Sequence, residues 1–339
     1  MASPSWAVPS RAALLTQLRD SKIAGQVATP RENNLLHYRL MADRDPHYLL
    51  GLDPSRDWTG ESVLEVMADR VGVSPDPRYR AGIDTIDPEL TVAALDRYAA
   101  RLAVAAARRE TVYFATGHPN SLARLYQGFA DALRSYGCPI LRAGEGWGYD
   151  ASTRYGTRRL TIGYSAGYGG AAASPVSPVS PVSPAPSALS RSLTASHSSA
   201  PSPSSAPSRT PTPSPSSTSS SAPPRTTGDV AALEDAAGPV HSHAARPIRA
   251  TFAALAAAGE PLPDLVVADH GWCGGAAQAG VDAIGFADCN DPALFVGEYE
   301  AVVRVAVPLD DGLDPARYEP LGGYVLGRLG EALRTVPER

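Results

Sequence analysis

Short apolar runs, each followed by a polar cluster and then by a helical pattern, constrain the fold of this chain most strongly. Residues 112 to 115 precede the cluster TGHPNS at 116 to 121, and residues 265 to 268 precede DHGWCGG at 269 to 275. Apolar runs of this length predict buried strands, and strands that alternate with helices form mostly parallel sheets. We therefore predict an α/β fold of the Rossmann-like type, with a mostly parallel sheet and flanking helices.

The spacing of apolar residues changes near residue 110, from a helical pattern to short apolar runs that alternate with helices. Before that point it predicts an N-terminal helical portion of the same domain, residues 1 to 110, with helices at 10 to 24, 32 to 43, 60 to 71 and 88 to 109. After it we predict an α/β core in two parts, residues 111 to 170 and 240 to 330. Strands are predicted at 111 to 115, 139 to 142, 159 to 164, 265 to 268, 283 to 287 and 302 to 307, and helices at 121 to 136, 244 to 258 and 275 to 279.

A Ser/Pro-rich segment separates the two parts of the core. Serine, proline, threonine and alanine dominate residues 171 to 227, so this stretch offers little that could pack. We predict a disordered insertion over residues 171 to 239 in a surface connection. Because loop-closure entropy rises slowly with length, replacing residues 172 to 226 by a short Gly/Ser bridge should preserve the fold.

Composition narrows the classes of function. The net charge is −5, and residues 171 to 227 contribute three arginines without any acid, so the rest of the chain is more acidic still. An acidic body predicts no nucleic-acid partner. The chain has three cysteines without paired spacing, and it shows neither a secretion signal nor an apolar stretch long enough for a membrane span. We expect a cytoplasmic protein with no membrane partner, and the oligomeric state stays open.

The clusters after the strands predict a site for an anionic ligand. Ligands of open α/β sheets bind beyond the carboxyl ends of the strands, where helix N-termini attract anions. We assign His118, Asp269 and His270 as candidate catalytic residues, since a histidine after a strand marks a functional loop and a buried Asp-His pair needs a partner. The alternative for residues 116 to 121 is an ordinary turn in which Asn120 or Ser121 caps a helix.

Further residues beside these three are candidates for binding the anion. They are Thr116, Gly117, Asn120, Ser121, His243, Arg246, Gly274 and Gly275. The segment HSHAARP at 241 to 247 offers two imidazoles, His241 and His243, and a guanidinium just before a predicted helix. The alternative is that residues 241 to 247 form a solvated end of the Ser/Pro-rich insertion, with Pro247 starting the helix.

Three strands in succession are followed by carboxylates. Asp288, Asp291 and Asp310 are therefore candidate metal ligands, because negative charge gathered at one edge is stable mainly with a divalent cation such as Mg²⁺ or Mn²⁺, or with a proton donor. Each could instead cap a helix or close a turn. We expect Asp311 and Cys289 to matter less, as a turn residue and a small apolar thiol.

Together, five segments resemble a bacterial family that is catalogued as phosphatase. They are ATGHPNSLARLY, HSHAARPIRA, PDLVVADHGWCGGAAQAG, FADCNDPALFVGE and VPLDDGL, and the resemblance extends over most of residues 9 to 330 without the Ser/Pro-rich segment. It implies hydrolysis of a phosphate ester and a small phosphorylated molecule as partner.

None of three familiar phosphatase motifs is present. A cysteine phosphatase needs arginine six positions after its cysteine, where Ala279 follows Cys273, and an aspartyl-phosphate enzyme needs a second aspartate where Gly271 stands. Arg-His-Gly is also absent. Two hypotheses stay open: a metal-assisted or acid/base phosphatase acting on a small metabolite, and a non-catalytic module that binds a phosphosugar or nucleotide.

Overall fold

A computed structural model describes residues 6–153, 156–165 and 228–335 of the chain. The helices in these ranges are α1 (Arg11–Asp20), α2 (Arg31–Ala42), α3 (Gly60–Arg70), α4 (Pro88–Arg108), α5 (Ala123–Ser135), α6 (Arg246–Ala258), α7 (His270–Gln278), α8 (Pro292–Tyr299) and α9 (Glu319–Arg334). The strands are β1 (Gly25–Pro30), β2 (Ile83–Ile86), β3 (Val112–Thr116), β4 (Ile140–Leu141), β5 (Gly148–Thr153), β6 (Gly156–Ser165), β7 (Val230–Asp235), β8 (Gly238–Pro239), β9 (Leu265–Val267), β10 (Asp282–Ala287) and β11 (Val305–Pro308).

One large sheet organises the fold. Its strand order is β11-β10-β9-β3-β7-β6-β5, and every pair from β11 to β7 is parallel. The strands β6 and β5 continue it in antiparallel pairing, while the short β4 pairs with β3 and the short β8 with β7. The predicted α/β fold with a mostly parallel sheet is confirmed. Because parallel strands end at the same edge, the loops after β3, β9, β10 and β11 meet there.

The central strands are buried on both faces. Every residue of β3, β9 and β11 is buried, and their sequences VYFAT, LVV and VAVP are almost wholly apolar. Continuous apolar runs of this kind are typical of parallel strands that helices cover on both sides. The same apolar character made these strands visible in the sequence.

The long helix α4 begins and ends where its sequence predicts. The side chain of Asp87 accepts the N–H of Glu89, and Pro88 occupies the first turn. Arg109 follows in the left-handed region, with φ of 54°, and stops the helix. Capping by aspartate and a proline in the first turn are standard signals for a helix start.

The N-terminal portion is not wholly helical. It contains the antiparallel pair β1 and β2, which form a separate two-stranded sheet with an irregular register. The sequence analysis missed this pair because β1 is half exposed, β2 has four residues, and neither is a continuous apolar run. All described residues, including this sheet, belong to one compact unit.

The predicted insertion extends too far at its C-terminal end. Residues 230–235 form β7, whose first four residues are buried, and Ser165 at the end of β6 is the register partner of Val230. The apolar run VAAL was overlooked because it directly follows the Ser/Pro-rich composition. Residues 171–227 of the predicted disordered insertion lie outside the described residues, as do residues 166–170 before it.

Membrane insertion finds no support in the helices. Within the described ranges, no helix has both the length and the apolar character needed to cross a bilayer.

Candidate functional site

The site is assembled at the carboxyl edge of the parallel sheet. The loop after β3 brings His118, the loop after β9 brings Asp269 and His270, and the loops after β10 and β11 bring Asp291 and Asp311. A fifth segment, residues 240–245, follows β8. It contacts the loop after β3, because the N–H of Ser242 donates to the carbonyl of Gly117 at 3.0 Å. Residues that are far apart in sequence therefore share one small volume.

Four histidine rings form a stacked group, which we call the histidine cluster: His118, His241, His243 and His270. The ring centroids of His118 and His241 are 4.2 Å apart, those of His118 and His270 are 4.4 Å apart, and those of His243 and His270 are 4.1 Å apart. His241 is exposed at the outer edge, whereas His270 is fully buried. The cluster can thus be reached from solvent on one side.

The other two histidines of the described ranges lie beside this cluster. His47 stacks on His243 with the rings 4.8 Å apart and 4° from parallel. Nδ1 of His37 lies 2.9 Å from the backbone oxygen of Asn290, in the loop after β10. The segment that carries His37 and His47 therefore closes one side of the site.

Carboxylates surround the two central rings. Nε2 of His270 lies 2.9 Å from Oδ2 of Asp291 and 3.7 Å from Oδ2 of Asp311. Nε2 of His118 lies 3.5 Å from Oδ1 of Asp311. On the opposite side, Nδ1 of His118 and Nδ1 of His270 lie 3.4 Å and 3.3 Å from the same Oδ2 of Asp269. Each ring therefore has a carboxylate at both of its nitrogens.

Asp269 is fully buried and is held by backbone donors. Its Oδ2 accepts the N–H of Gly117 at 2.9 Å and the N–H of His118 at 3.1 Å. Burial by itself would raise its pKa, but the rings of His118 and His270, whose Nδ1 atoms lie 3.4 Å and 3.3 Å from Oδ2, outweigh that effect and hold the pKa of Asp269 below its ordinary value. Asp269 is therefore a carboxylate, and its negative charge belongs to the site.

His270 has a backbone conformation that non-glycine residues rarely adopt. Its φ is 47°, in the left-handed region, although the side chain is fully buried. Strained backbone of this kind persists where the surroundings enforce it, commonly at functional sites. Burial opposes its positive charge, but Asp291 and Asp269 raise the pKa of His270 well above its usual range. The two carboxylates therefore favour the protonated form of the His270 ring.

The remaining imidazoles of the cluster are neutral. Burial, assisted by the charge of His270, lowers the pKa values of His118 and His243. Although one side of His241 is exposed, the protein packed around its other side and the neighbouring rings lower its pKa to about 3. Neutral imidazole is the form that binds metals.

Negative charge at the site is only partly compensated. Burial, reinforced by Asp291 and Asp288, holds the pKa of Asp311 well above its usual range. Burial and the nearby Asp310 raise the pKa of Asp288 to about 7. Carboxylates whose pKa values rise together lack a counter-charge, and a bound cation would supply it.

Two groups of side chains have the spacing of a metal site. His118, His241 and His270 form one group, and His243, His270 and Asp291 form the other; in each, the candidate ligand atoms all lie within 4.8 Å of one another. Several buried polar atoms of the site have no hydrogen-bond partner, which is unusual in a protein interior. They are Nδ1 of His118, His243 and His270, Oδ1 of Asp269 and Oδ2 of Asp311.

Most of the predicted catalytic and anion-binding residues on the first loop are part of this arrangement. Besides His118, the loop contributes Thr116, whose hydroxyl accepts the N–H of His118 at 2.9 Å, and Gly117. A Cβ on Gly117 would collide with the carbonyl of Ser242 and with Nδ1 of His270, 2.7 Å away, so a glycine is needed there. Ser121 is buried in the following turn and Asn120 is exposed, and neither side chain is seen contacting the cluster.

Two predicted metal ligands lie outside both groups of ligand-spaced residues. Oδ2 of Asp288 accepts the hydroxyl of Thr29 at 2.7 Å, and Oδ1 of Asp310 accepts the N–H of Gly312 at 3.1 Å. Asp311, which the sequence analysis treated as a turn residue, faces the histidines instead. The sequence interpretation of this turn was wrong because neighbouring residues in a loop point in directions that local pattern does not specify.

The predicted role of Gly274 and Gly275 in binding an anion is not supported. The helix α7 begins at His270 rather than at residue 275, so both glycines lie inside the helix, where their N–H groups are not free at a helix end. A Cβ on Gly274 would collide with the carbonyl of Leu50, and one on Gly275 with the side chain of Ile248, 2.7 Å away. These glycines permit close packing.

Arg246 begins α6, four residues after Ser242. Its guanidinium lies 4.4 Å from the centroid of the Tyr149 ring, and the side chain is exposed. Within the described ranges it has no acidic partner. Its charge is therefore not neutralised by a carboxylate in these ranges, and Arg246 lies three residues after His243 in the chain.

The sequence analysis missed His37 and His47 altogether. They lie in or just after the predicted helix at 32 to 43, far from any predicted strand end, and no local pattern marks them. His241 was predicted only as one of two imidazoles before a helix and not as a site residue.

Comparison with known proteins agrees with the resemblance seen in the sequence. A family model described as Phosphatase matches residues 9–203 and 208–333. The chain belongs to this phosphatase family. Phosphatase SCO2771 of Streptomyces coelicolor (strain ATCC BAA-471 / A3(2) / M145) is 40% identical over 329 residues, which make up 96% of this chain and 99% of that protein. No solved structure matches the chain.

The family and this relative support a phosphatase, and therefore a hydrolase. The family match also corrects the view that the Ser/Pro-rich segment lies outside the resemblance. It continues through residue 203 and resumes at 208, so it includes most of that segment.

Proposed function

We propose that this phosphatase hydrolyses the phosphomonoester of a small metabolite at the histidine cluster, with the help of a divalent cation. The observation that carries the proposal is the meeting of four imidazoles with Asp269, Asp291 and Asp311 at the carboxyl edge of a parallel sheet. This is the edge at which α/β proteins bind their ligands. Buried polar atoms without partners lie at the same place.

The residues present fit a cation. Neutral imidazoles supply nitrogen ligands, Asp291 and Asp311 supply oxygen ligands and negative charge, and His270 belongs to both groups that have ligand spacing. A divalent cation bound there would polarise a phosphate oxygen and neutralise its charge. Of the two ions expected from the sequence, Mn²⁺ suits a site rich in imidazole better than Mg²⁺, which prefers oxygen ligands and water.

Arg246 and the fifth segment would receive the phosphate group. The guanidinium is exposed, has no acidic partner in the described ranges and begins α6, whose first N–H groups add to the attraction for an anion. His241 is the exposed member of the cluster and lies on the same segment as Arg246, on the solvent side of the buried ring of His270. The substrate would thus approach from the side of residues 241–246.

The net charge of −5 and the three unpaired, buried cysteines support the remaining expectations. We expect a small phosphorylated molecule rather than a nucleic acid as the partner, and we expect the protein to act in the cytoplasm.

The deciding experiment measures phosphate release from a panel of phosphomonoesters by the full-length protein. We expect turnover with Mn²⁺, weaker turnover with Mg²⁺ and none after chelation, with recovery when Mn²⁺ is returned. The control is His270→Asn, which keeps a residue that tolerates the left-handed backbone but alters the shared ligand. Turnover that survives chelation would favour the metal-free acid/base mechanism. Phosphate binding without release by any metal form would favour the non-catalytic binding module.

A further inference from the structure

The two central rings of the histidine cluster share one carboxylate behind them. Oδ2 of Asp269 lies 3.4 Å from Nδ1 of His118 and 3.3 Å from Nδ1 of His270, while their Nε2 atoms face Asp311. The two rings therefore lie side by side in the same orientation, with Asp269 on one side and Asp311 on the other.

The side that carries Asp269 is closed by backbone. Oδ2 of Asp269 already accepts the N–H groups of Gly117 and His118, and a Cβ on Gly117 would come within 2.7 Å of Nδ1 of His270. Asp269 is also close enough to the buried hydroxyls of Tyr98 and Tyr126 to contribute to their raised pKa values. It thus lies on the inner side of the rings, toward the protein core.

The side that carries Asp311 has the features of a ligand site. Nε2 of His270 lies 2.9 Å from Asp291, Oδ2 of Asp311 is buried without a partner, and His243 approaches Asp291 at 3.8 Å. These groups come from four different loops, and their oxygen and nitrogen atoms face one another. This is where a cation has ligands on several sides.

We propose that Asp269 is a positioning residue that orients His118 and His270 through Nδ1, so that both present Nε2 to one cation beside Asp291 and Asp311. A carboxylate that receives the Nδ1 proton of a metal-binding histidine fixes its tautomer and orientation, and its loss commonly weakens metal binding 10- to 100-fold. Here one carboxylate faces two rings, and two backbone N–H groups hold it in place. The Nδ1 atoms of His118 and His270 lie 3.4 Å and 3.3 Å from its Oδ2 without a hydrogen bond, and its Oδ1 is also without a partner. A small rotation of the carboxylate would let its two oxygens accept both ring protons once the cation is bound. The proposal deepens the proposed function, because it rests on the cation invoked there.

The first test titrates the full-length, metal-free protein with Co²⁺ and follows its visible absorption spectrum. We expect one equivalent per chain for the wild type. Asp269→Asn should bind the same single equivalent with about 10- to 100-fold lower affinity and an unchanged spectrum, since the ligands remain. The comparison variant Asp311→Asn should change the spectrum itself. These readouts do not depend on turnover, so they separate this proposal from the phosphatase assignment.

Three results would overturn the proposal. Loss of all Co²⁺ binding in Asp269→Asn, or a changed spectrum, would make Asp269 a ligand through its unpartnered Oδ1. An unchanged affinity would leave it without a positioning role. Two equivalents in the wild type, or none, would exclude a single cation at this place.

A second test needs only the wild-type chain, in case Asp269→Asn does not fold. Nitrogen-15 NMR of labelled histidines in the Zn²⁺-bound protein reports which ring nitrogen carries the proton, with resonances assigned by single histidine replacements. We expect His118 and His270 to be protonated at Nδ1 and bound through Nε2. Protonation at Nε2 with Nδ1 bound to Zn²⁺ would contradict the proposed orientation.

Discussion

Asp310 and Asp311 are consecutive residues after β11, but their carboxylates contact different groups. Oδ1 of Asp310 accepts the N–H of Gly312 within its own turn, whereas Oδ1 of Asp311 lies 3.5 Å from Nε2 of His118. Both carboxylates are largely buried. One closes the loop, and the other places a carboxyl group against the histidine cluster.

This pair offers a matched comparison of two neighbouring substitutions. We expect Asp311→Asn to lower kcat/KM for a chromogenic phosphomonoester by about 10² or more, since it replaces a carboxyl oxygen that faces His118 and His270 and would hold the cation. Asp310→Asn should stay near wild type, because the asparagine oxygen can still accept the N–H of Gly312. Melting temperatures of both variants serve as the control for folding. Equal losses of activity would contradict the assignment of Asp311 to the site.

Arg246 should act on binding rather than on the chemical step. We expect Arg246→Ala to raise KM about tenfold, equivalent to losing one charge-assisted hydrogen bond, while kcat changes little. Steady-state kinetics with one phosphomonoester separate the two constants. Arg56→Ala is the control, because Arg56 also stacks on an aromatic ring, that of Trp58 at 4.0 Å, without a contact to the cluster. A fall in kcat at constant KM would place Arg246 in the reaction instead.

The Ser/Pro-rich segment should be dispensable for the fold. Because Ser165 and Val230 are register partners, the chain leaves and re-enters the sheet at adjacent points, and a short connection can span them. We expect replacement of residues 172 to 226 by a Gly/Ser bridge to leave the melting temperature and phosphate release unchanged. Differential scanning calorimetry of the two proteins provides the measurement. A large fall in melting temperature would show that this segment contributes to the folded state.

A buried ion pair between the start of α2 and β2 should dominate local stability. Arg31 and Asp84 are almost fully buried, and Nη1 of Arg31 lies 3.0 Å from Oδ2 of Asp84. We expect Asp84→Ala to lower the free energy of unfolding by about 3 to 5 kcal/mol, since it leaves a buried guanidinium without its counter-charge. The exposed pair of Arg44 and Asp53 provides the control, and Asp53→Ala should cost about 1 kcal/mol or less. Urea unfolding checks both, and similar losses would argue against the buried pair.

The runs that form β3, β9 and β10 could be predicted from the sequence, whereas β1 and β7 could not. The runs that form β3, β9 and β10 are continuous and apolar, so burial on both faces is visible locally. By contrast, β1 alternates between exposed and buried residues, and the apolar run of β7 directly adjoins the Ser/Pro-rich segment. Their pairing depends on partners distant in the chain, which local composition does not contain.

The sequence by itself determined the alternation of strands and helices, the helix start at Asp87 and the two loops that carry His118 and His270, because local sterics and burial govern each of these. Only the tertiary structure decided that His47 stacks on His243 and that Asp311, rather than Asp310, faces the histidines. Those relationships depend on the order of strands in the sheet and on the direction of side chains in loops. Both are settled by packing between segments that are remote in the chain.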